Sequence, residues 1–381
     1  MSEKQFEQRL KQIFEYFHQR PELSYEEYNT TSKLAELLRN IGVDILDLPL
    51  KTGVVGEIKG EKGKPIIAIR SDIDALPIDE ETNLIYKSKN PGRMHACGHD
   101  FHMTSILGAA YLLKKDQSKL NGTVRILFQP AEESSHGAEE ILKTDALDGV
   151  EAVFGLHSAP DLDVGVLGTN VGPLTAAVDR FEIEVIGRGT HAAHPEIGID
   201  PIIIVSNIIT ALQTIISRNL CPSNSAVLSV THVESGHTWN VIPERAYIEG
   251  TVRTLDEQDR ILVPKKMRKI SQEIAASYGG KINFIWHEGP PATNNDKKLT
   301  EMAIKVAQNI GYKVRIIQPK LGGEDFAYYQ EKLPGAFVNI GVGKGESLHS
   351  PKFKIDESAL LKSSLYFKNL AEKALITIDK N

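Results

Sequence analysis

The chain predicts an α/β fold, a sheet with helices on both faces, interrupted by a smaller α+β domain. Short continuous apolar runs at 65–69, 124–128 and 152–156 read as strands covered on both sides. Each runs directly into a polar segment, SDIDALP, QPAEE and His157 respectively, so functional groups gather at the carboxyl ends of strands. From about Val178 the pattern changes. Phe181, Ile183 and Val185 alternate with polar residues, as in a strand with one solvated face.

The elements follow in order. Phe6, Leu10, Ile13, Phe14 and Phe17 fall at helical spacing, and the segment has no signal-peptide apolar core, so it opens the mature fold. A second helix is expected from Ser24, with Glu27 three residues on as a capping box, to near Gly42. The strand at 65–69, a helix at 103–115, the strand at 124–128, a helix at 139–142 and the strand at 152–156 give the α/β alternation. The inserted part then reads as a strand around 181–185, a helix at 201–219, strands at 227–232 and 246–254, a helix at 257–278 and a strand at 281–287. Two helices on a four-stranded antiparallel sheet fit that order. After Gly289-Pro290-Pro291 the α/β pattern returns with a helix at 297–310, a strand at 337–340 and a terminal helix from about Ser358. At 381 residues two domains are the better expectation: 1–177 and 289–381 form one, and 178–288 the insertion.

Composition narrows the function. Apolar residues at 41% and charged residues at 25% are ordinary for a soluble globular protein. A net charge of −6 with Lys and Arg scattered along the chain provides no basic stripe, so no nucleic-acid partner is expected. The longest apolar run, 202–209, is broken by Ser206 and Asn207 and is too short to span a bilayer; no membrane partner is expected either. Cys97 and Cys221 are the only cysteines, so a disulfide framework is not expected and a reducing cytoplasm fits.

The chemistry concentrates in Met94-His95-Ala96-Cys97-Gly98-His99-Asp100-Phe101-His102. One thiol and three imidazoles within eight residues read as a metal site, and a turn at Gly98 aims Cys97 and His99 at one point. Two ligands do not hold a catalytic ion. Further candidates are Glu132-Glu133, His157 and His349. Each has an ordinary reading: an isolated cysteine is usually inert core, a Glu-Glu pair usually solvated surface, a single histidine usually a hydrogen-bonded structural group. The spacing of His99 from Cys97, and the place of Glu132-Glu133 and His157 after apolar strands, shift the balance. His95 and His102 are expected beside the site, and His18, His136 and His287 at the surface. Asp72 and Asp74 either cap a turn or orient a ligand histidine.

Together these segments resemble the co-catalytic metallo-aminoacylase and carboxypeptidase superfamily, in its branch of hippurate hydrolases, N-acyl-amino-acid amidohydrolases and auxin-conjugate hydrolases. The resemblance covers nearly the whole chain. It rests on QRPELSYEE, SDIDALP, MHACGHD, FQPAEE, HSAP, GRGTHAAHP, NVIPERAYIEGTVRT, GGEDF and LHSP. It implies a mixed-sheet, phosphorylase/hydrolase-like catalytic domain with an inserted ferredoxin-like lid domain that forms a homodimer. It further implies Cys97, His99, Glu133, His157 and His349 as ligands of two divalent metals, with Cys97 bridging. A ligand histidine elsewhere in the superfamily stands where this chain has Asp72, and the bridge is there an aspartate. A thiolate bridge is softer, so zinc, manganese, cobalt and nickel all remain open.

The resemblance assigns Glu132 as general base, Asp74 as orienting carboxylate, and His191 as oxyanion donor in cis or from a partner, with His194 its rival. Asn240 and Arg253 match substrate-binding positions. Thr190 and Trp239 depart from the commoner pattern. The implied function is metal-dependent hydrolysis of small-molecule N-acyl amino acids. One alternative is the same chemistry on N-acetyl-diaminopimelate or a dipeptide. The other is a catalytically silent binding protein, against which the intact Glu132 argues.

Overall fold

Alternation along the central strands decides which helices cover which face. In Ile66–Asp72, Ile67 and Ile69 enter one buried cluster and Ala68 another. Thr123–Gln129 divides Ile126 and Phe128 from Leu127 in the same way, and Val150–Ala159 divides Phe154 from Val153. The larger cluster also draws on helices Glu3–His18, Tyr28–Asn40, His99–Lys115, Lys297–Asn309 and Ala359–Ile378. The smaller takes Ala138, Ile141 and Tyr329 from the short helices Gly137–Leu142 and Ala327–Gln330. Helices therefore lie on both faces.

The computed structural model describes residues 2–379 and separates into two compact units. The first comprises Met1–Leu174, Thr293–Gln318 and Asp325–Asn381. Its main sheet has eight strands in the order Asp44–Ile45, Val54–Lys59, Thr123–Gln129, Ile66–Asp72, Val150–Ala159, Gly335–Gly341, Val166–Thr169 and Lys313–Ile316. The sheet is mixed. Thr123–Gln129, Ile66–Asp72, Val150–Ala159 and Gly335–Gly341 run parallel; Val54–Lys59 pairs antiparallel to both neighbours, and Val166–Thr169 pairs antiparallel to Gly335–Gly341 and parallel to Lys313–Ile316. Val166–Thr169 and Lys313–Ile316 were not anticipated; they are short, and Arg315 and Ile316 are exposed, so periodicity had little to act on.

The second unit comprises Thr175–Ala292 and Pro319–Glu324. Its four-stranded antiparallel sheet has the order Ala226–Ser235, Arg245–Thr254, Ala177–Ile186 and Lys281–His287. Phe181, Ile183 and Val185 join a core with Ile204, Ile208 and Leu212 of helix Pro201–Asn219 and Val263 and Met267 of helix Glu257–Ser277. Both helices start on aspartate caps: Asp200 accepts from Ile202 N, and Asp256 from Gln258 and Asp259 N.

Three expectations are corrected. The second helix starts at Tyr28, and its first amides donate to the Glu22 carboxylate, Asn29 at 3.2 Å and Thr30 at 2.7 Å. Ser24 does not cap it; its hydroxyl instead donates to Asp74 Oδ2 at 2.7 Å. His18 is not at the surface: it is 3% exposed and bonded to two carboxylates. Lastly, the apolar run at 202–209 belongs to a 19-residue helix that is by length and composition apolar enough to cross a membrane. One side of that helix buries Ile204, Val205, Ile208, Leu212 and Ile215 against the sheet, and the other exposes Ser206, Asn207, Thr210 and Thr214.

Candidate metal centre

Four segments of the first unit deliver the predicted donors. Gly98, the residue before helix His99–Lys115, has φ +85°, and a Cβ there would meet Ser158 Oγ at 2.5 Å, so only glycine makes the turn that sets Cys97 and His99 side by side. After strand Thr123–Gln129, Ala131 takes a left-handed φ of 54° before Glu132 and Glu133. Its amide is held by Glu27 Oε1 at 2.8 Å. His157 lies within strand Val150–Ala159 rather than in a loop after it. His349 has φ 65°, and its amide donates to Ala96 O at 2.8 Å. Two non-glycine residues in a sparsely populated conformation beside the candidate donors are the kind of local strain that surrounding structure sustains at working sites.

The donors converge. Cys97 Sγ lies 3.4 Å from His157 Nε2, His99 Nε2 lies 3.8 Å from Glu133 Oε1, and His349 Nε2 lies 3.5 Å from the same oxygen. Donor atoms of Cys97, His99 and His157, of Cys97, Glu133 and His349, and of His99, Glu132 and Glu133 lie within 4.8 Å of one another in each group. His99 Nε2 and Glu133 Oε1 are buried without a hydrogen-bond partner. Buried polar atoms are seldom left in that state, and a cation answers both. The electrostatics agree. Burial, then the Glu133 charge, pushes the Cys97 thiol well above its usual range. His99 is raised although burial opposes it, because Asp72 lies alongside. Both shifts substitute protons for positive charge. A set of thiolate, imidazoles and carboxylates therefore fits divalent transition-metal ions.

Orientation comes from behind. His99 Nδ1 bonds the backbone carbonyl of Asp74 at 2.9 Å, with Asp74 Oδ1 farther at 3.3 Å. The Asp74 carboxylate chiefly shapes the Glu132-Glu133 turn, accepting from their amides at 3.1 and 3.0 Å. His157 Nδ1 bonds Ser158 O at 2.8 Å, which turns Nε2 toward Cys97. His102 Nε2 accepts the Ser158 amide at 2.8 Å, so its Nδ1 carries the proton shared with Asp72 Oδ1 at 2.6 Å. Both nitrogens are thus committed, and His102 supports rather than ligates. His95 is buried near by, with burial lowering its pKa to about 4.

Residues the motif reading passed over complete the support. Arg70, fully buried, donates to Gln129 Oε1 at 2.8 Å, Asp72 Oδ2 at 2.8 Å and Asp325 Oδ1 at 2.7 Å. Gln129 also binds Asp325, as does the Ala138 amide at 2.9 Å. Asp325 stands in the GGEDF motif, which was its one visible signal; Arg70 sits inside an apolar strand and gave none.

His191, Asn240 and Arg253 lie in the second unit. Strand Thr190–His191 pairs with Val241–Ile242, and Ala192 N donates to Asn240 O at 3.0 Å, so His191 and Asn240 are neighbours. His191 Nδ1 accepts from Ala193 N at 3.0 Å, which leaves Nε2 as the donor of an exposed side chain. His194 sits 6.0 Å away by ring centroid. Arg253 is on strand Arg245–Thr254 of the four-stranded sheet, with its Nε on Thr251 Oγ1 at 3.0 Å. Trp239, beside Asn240, is 92% exposed.

A thiolate, imidazole and carboxylate cluster at the carboxyl ends of a mixed α/β sheet, with a further carboxylate beside it, defines a metal-dependent hydrolase. Residues 68–373 match the sequence profile of peptidase family M20/M25/M40. The chain is 48% identical over 379 residues, 99% of its length and 100% of the relative's, to N-acetylcysteine deacetylase of Bacillus subtilis (strain 168). It is 37% identical to the IAA-amino acid hydrolase ILR1-like 4 of Arabidopsis thaliana, across 96% of this chain and 86% of that one. The crystal structure of the Bacillus subtilis YxeP protein, described as a dinuclear metal-binding peptidase of the M20 family, superposes with a TM-score of 0.90 at 46% identity, covering 98% of this chain and 99% of that one. The chain belongs to peptidase family M20/M25/M40 and is a hydrolase acting on amide bonds.

Proposed function

We propose that the protein hydrolyses N-acyl amino acids to a carboxylic acid and a free amino acid, using two divalent metal ions held by Cys97, His99, Glu133, His157 and His349. The observation that carries this reading is the convergence of those donors around His99 Nε2 and Glu133 Oε1, both buried and neither hydrogen-bonded, with Glu132 alongside. An amide carbonyl is a poor electrophile, and divalent metal, when bound, supplies Lewis-acid polarisation and acidifies water to a pKa of about 7. Glu132 takes the proton from the attacking water and returns it to the leaving amine. Its backbone is fixed for this by the Asp74 carboxylate. His191, through Nε2–H, stabilises the oxyanion, and Asn240 and Arg253 hold the substrate's carboxylate or developing charge. Zinc, manganese, cobalt and nickel all suit the donor set.

Residues 1–177 and 289–381 act in this reading as the catalytic domain and 178–288 as a ferredoxin-like lid and dimerisation domain. Support for a homodimer comes from the edge position of Ala226–Ser235 in its sheet and from exposed Ile202 and Ile203 on helix Pro201–Asn219. Free cysteines at 97 and 221 are consistent with a cytoplasmic location.

The test is a panel of N-acetyl, N-benzoyl and longer N-acyl amino acids with each metal, using wild type and Glu132→Gln. Wild type should hydrolyse members of the panel, and Glu132→Gln should lose about two to four orders of magnitude in rate while keeping fold and metal. Near-wild-type turnover by the variant would remove Glu132 as base. A wild type inactive on every member with every metal would reject the substrate class.

A further inference from the structure

His18 lies at the end of helix Glu3–His18, outside every motif around the donors, yet it is 3% exposed. Its Nδ1 is 2.6 Å from Asp100 Oδ2 and its Nε2 is 3.2 Å from Glu80 Oε1. Both acceptors are carboxylates. A neutral imidazole donates through one nitrogen only and would turn a lone pair on the other carboxylate, so the geometry calls for the doubly protonated ring. The helix C-terminus adds a favourable field. Burial opposes the charge, but the Asp100 and Glu80 bonds raise His18 to about 9. Phe14 and Tyr86 rings enclose it at 5.7 and 5.3 Å.

Its two partners lead to two different sets of donors. Asp100 directly follows His99, and its Oδ1 accepts from Phe101 N at 2.8 Å in the first turn of the helix that presents His99. Glu80 gathers its own loop by accepting from the Ser88 amide at 2.6 Å and from the Thr82 hydroxyl. The next residue, Glu81, donates its amide to Pro351 O at 2.8 Å, two residues from His349. The ring closes where His349 N meets Ala96 O at 2.8 Å, one residue from Cys97. Thus the chain from Ala96 to Asp100, then His18, Glu80, Glu81, Pro351 and His349, is one continuous circuit.

We infer that His18 is a positioning residue that sets the spacing between the Cys97/His99 turn and the His349 loop, and so governs how tightly the site holds metal. This rests on the assignment of those three residues as ligands. Residues that orient a metal's ligands from outside typically change affinity by about 10–100-fold when altered.

The experiment loads the full-length apo-protein with cobalt(II), following the cobalt–thiolate absorption of Cys97 and competing with a chelator, for wild type and His18→Gln. Leu38→Ala, which empties core beside helix Tyr28–Asn40, serves as a control for simple loss of stability. His18→Gln should bind cobalt about 10–100-fold more weakly with an altered thiolate band, and amides 81 and 88 should exchange faster in the apo-protein. Leu38→Ala should retain wild-type affinity. If His18→Gln does not fold, Glu80→Gln keeps the His18–Asp100 pair and should weaken cobalt binding by the same route through the His349 loop. Affinity within twofold of wild type in the folded variant, or an equal loss in Leu38→Ala, overturns the inference alone. A wild type that takes up no cobalt overturns the ligand assignment, and this inference with it.

Discussion

Replacing Arg70 by methionine tests whether the polar network beneath the site is held by charge. The guanidinium is fully buried and donates to Gln129, Asp72 and Asp325 at 2.7–2.8 Å, the last two through carboxylates. Without it Asp72 Oδ2 loses its 2.8 Å donor, while Asp325 keeps Gln129 and the Ala138 amide. Removing one partner from a buried ion pair costs about 3–5 kcal/mol, because the remaining charge stays desolvated. The cost should depend on pH. Asp72 is held well below the usual carboxylate range despite burial, by His99, His102 and Arg70, and so stabilises the fold above its unfolded value and less as pH falls. Burial already raises Asp325 to about 6, so its contribution is present at low pH and lost as pH rises through that value. Removing Arg70 moves both upward, so the penalty at pH 8 should exceed that at pH 5 by at least about 1 kcal/mol. Both tryptophans, Trp239 and Trp286, lie in the second unit, so fluorescence would miss the event. Hydrogen exchange of the amides in Ile66–Asp72 and Thr123–Gln129 reports it directly. A loss below about 1 kcal/mol at pH 8, or equal losses at both pH values, would refute the reasoning.

Cys97→Ala should release metal and abolish hydrolysis, and in a Cys221→Ser background thiol reagents should attack the apo-protein faster than the loaded one; unchanged metal content by elemental analysis would make Cys97 a packing residue. His191→Ala should raise the barrier by roughly 3–4 kcal/mol with metal retained. If His191 acts from a partner subunit, mixing it with Glu132→Gln protomers should restore part of the activity, whereas no recovery after verified subunit exchange argues for donation within one chain. Glu27, raised to about 7 by burial and then Asp74, contributes stability that is fully present below its unfolded value near 4.5 and is lost as pH rises through 7. Glu27→Gln should therefore flatten the dependence of unfolding midpoint on pH between 5 and 8, and an unchanged slope would show that Glu27 does not titrate there.

Much of the site was legible because its donors are local signals. Cys97, Gly98 and His99 are adjacent, and the glycine is required by a positive φ and by Ser158 at 2.5 Å from any Cβ. The apolar run at 124–128 announced where Glu132-Glu133 would stand, whereas His157 lies inside its strand and not after it; alternation at Phe181, Ile183 and Val185 announced a sheet with one wet face. Short edge strands such as Lys313–Ile316 were invisible, since few of their side chains are buried. The capping-box reading of Ser24 and Glu27 failed because the Glu22 carboxylate took the first helical amides instead.

Sequence alone therefore determined the α/β alternation and singled out the candidate donors, because both are written in periodicity and in residue types a few positions apart. Tertiary structure decided the partners of buried charge. Arg70 meets Asp325 across 255 residues and His18 meets Asp100 across 82. Such pairs leave no local trace: a charge can be buried only where folding brings its counter-charge within hydrogen-bond distance, and that distance is set by the packing of the whole sheet and its helices.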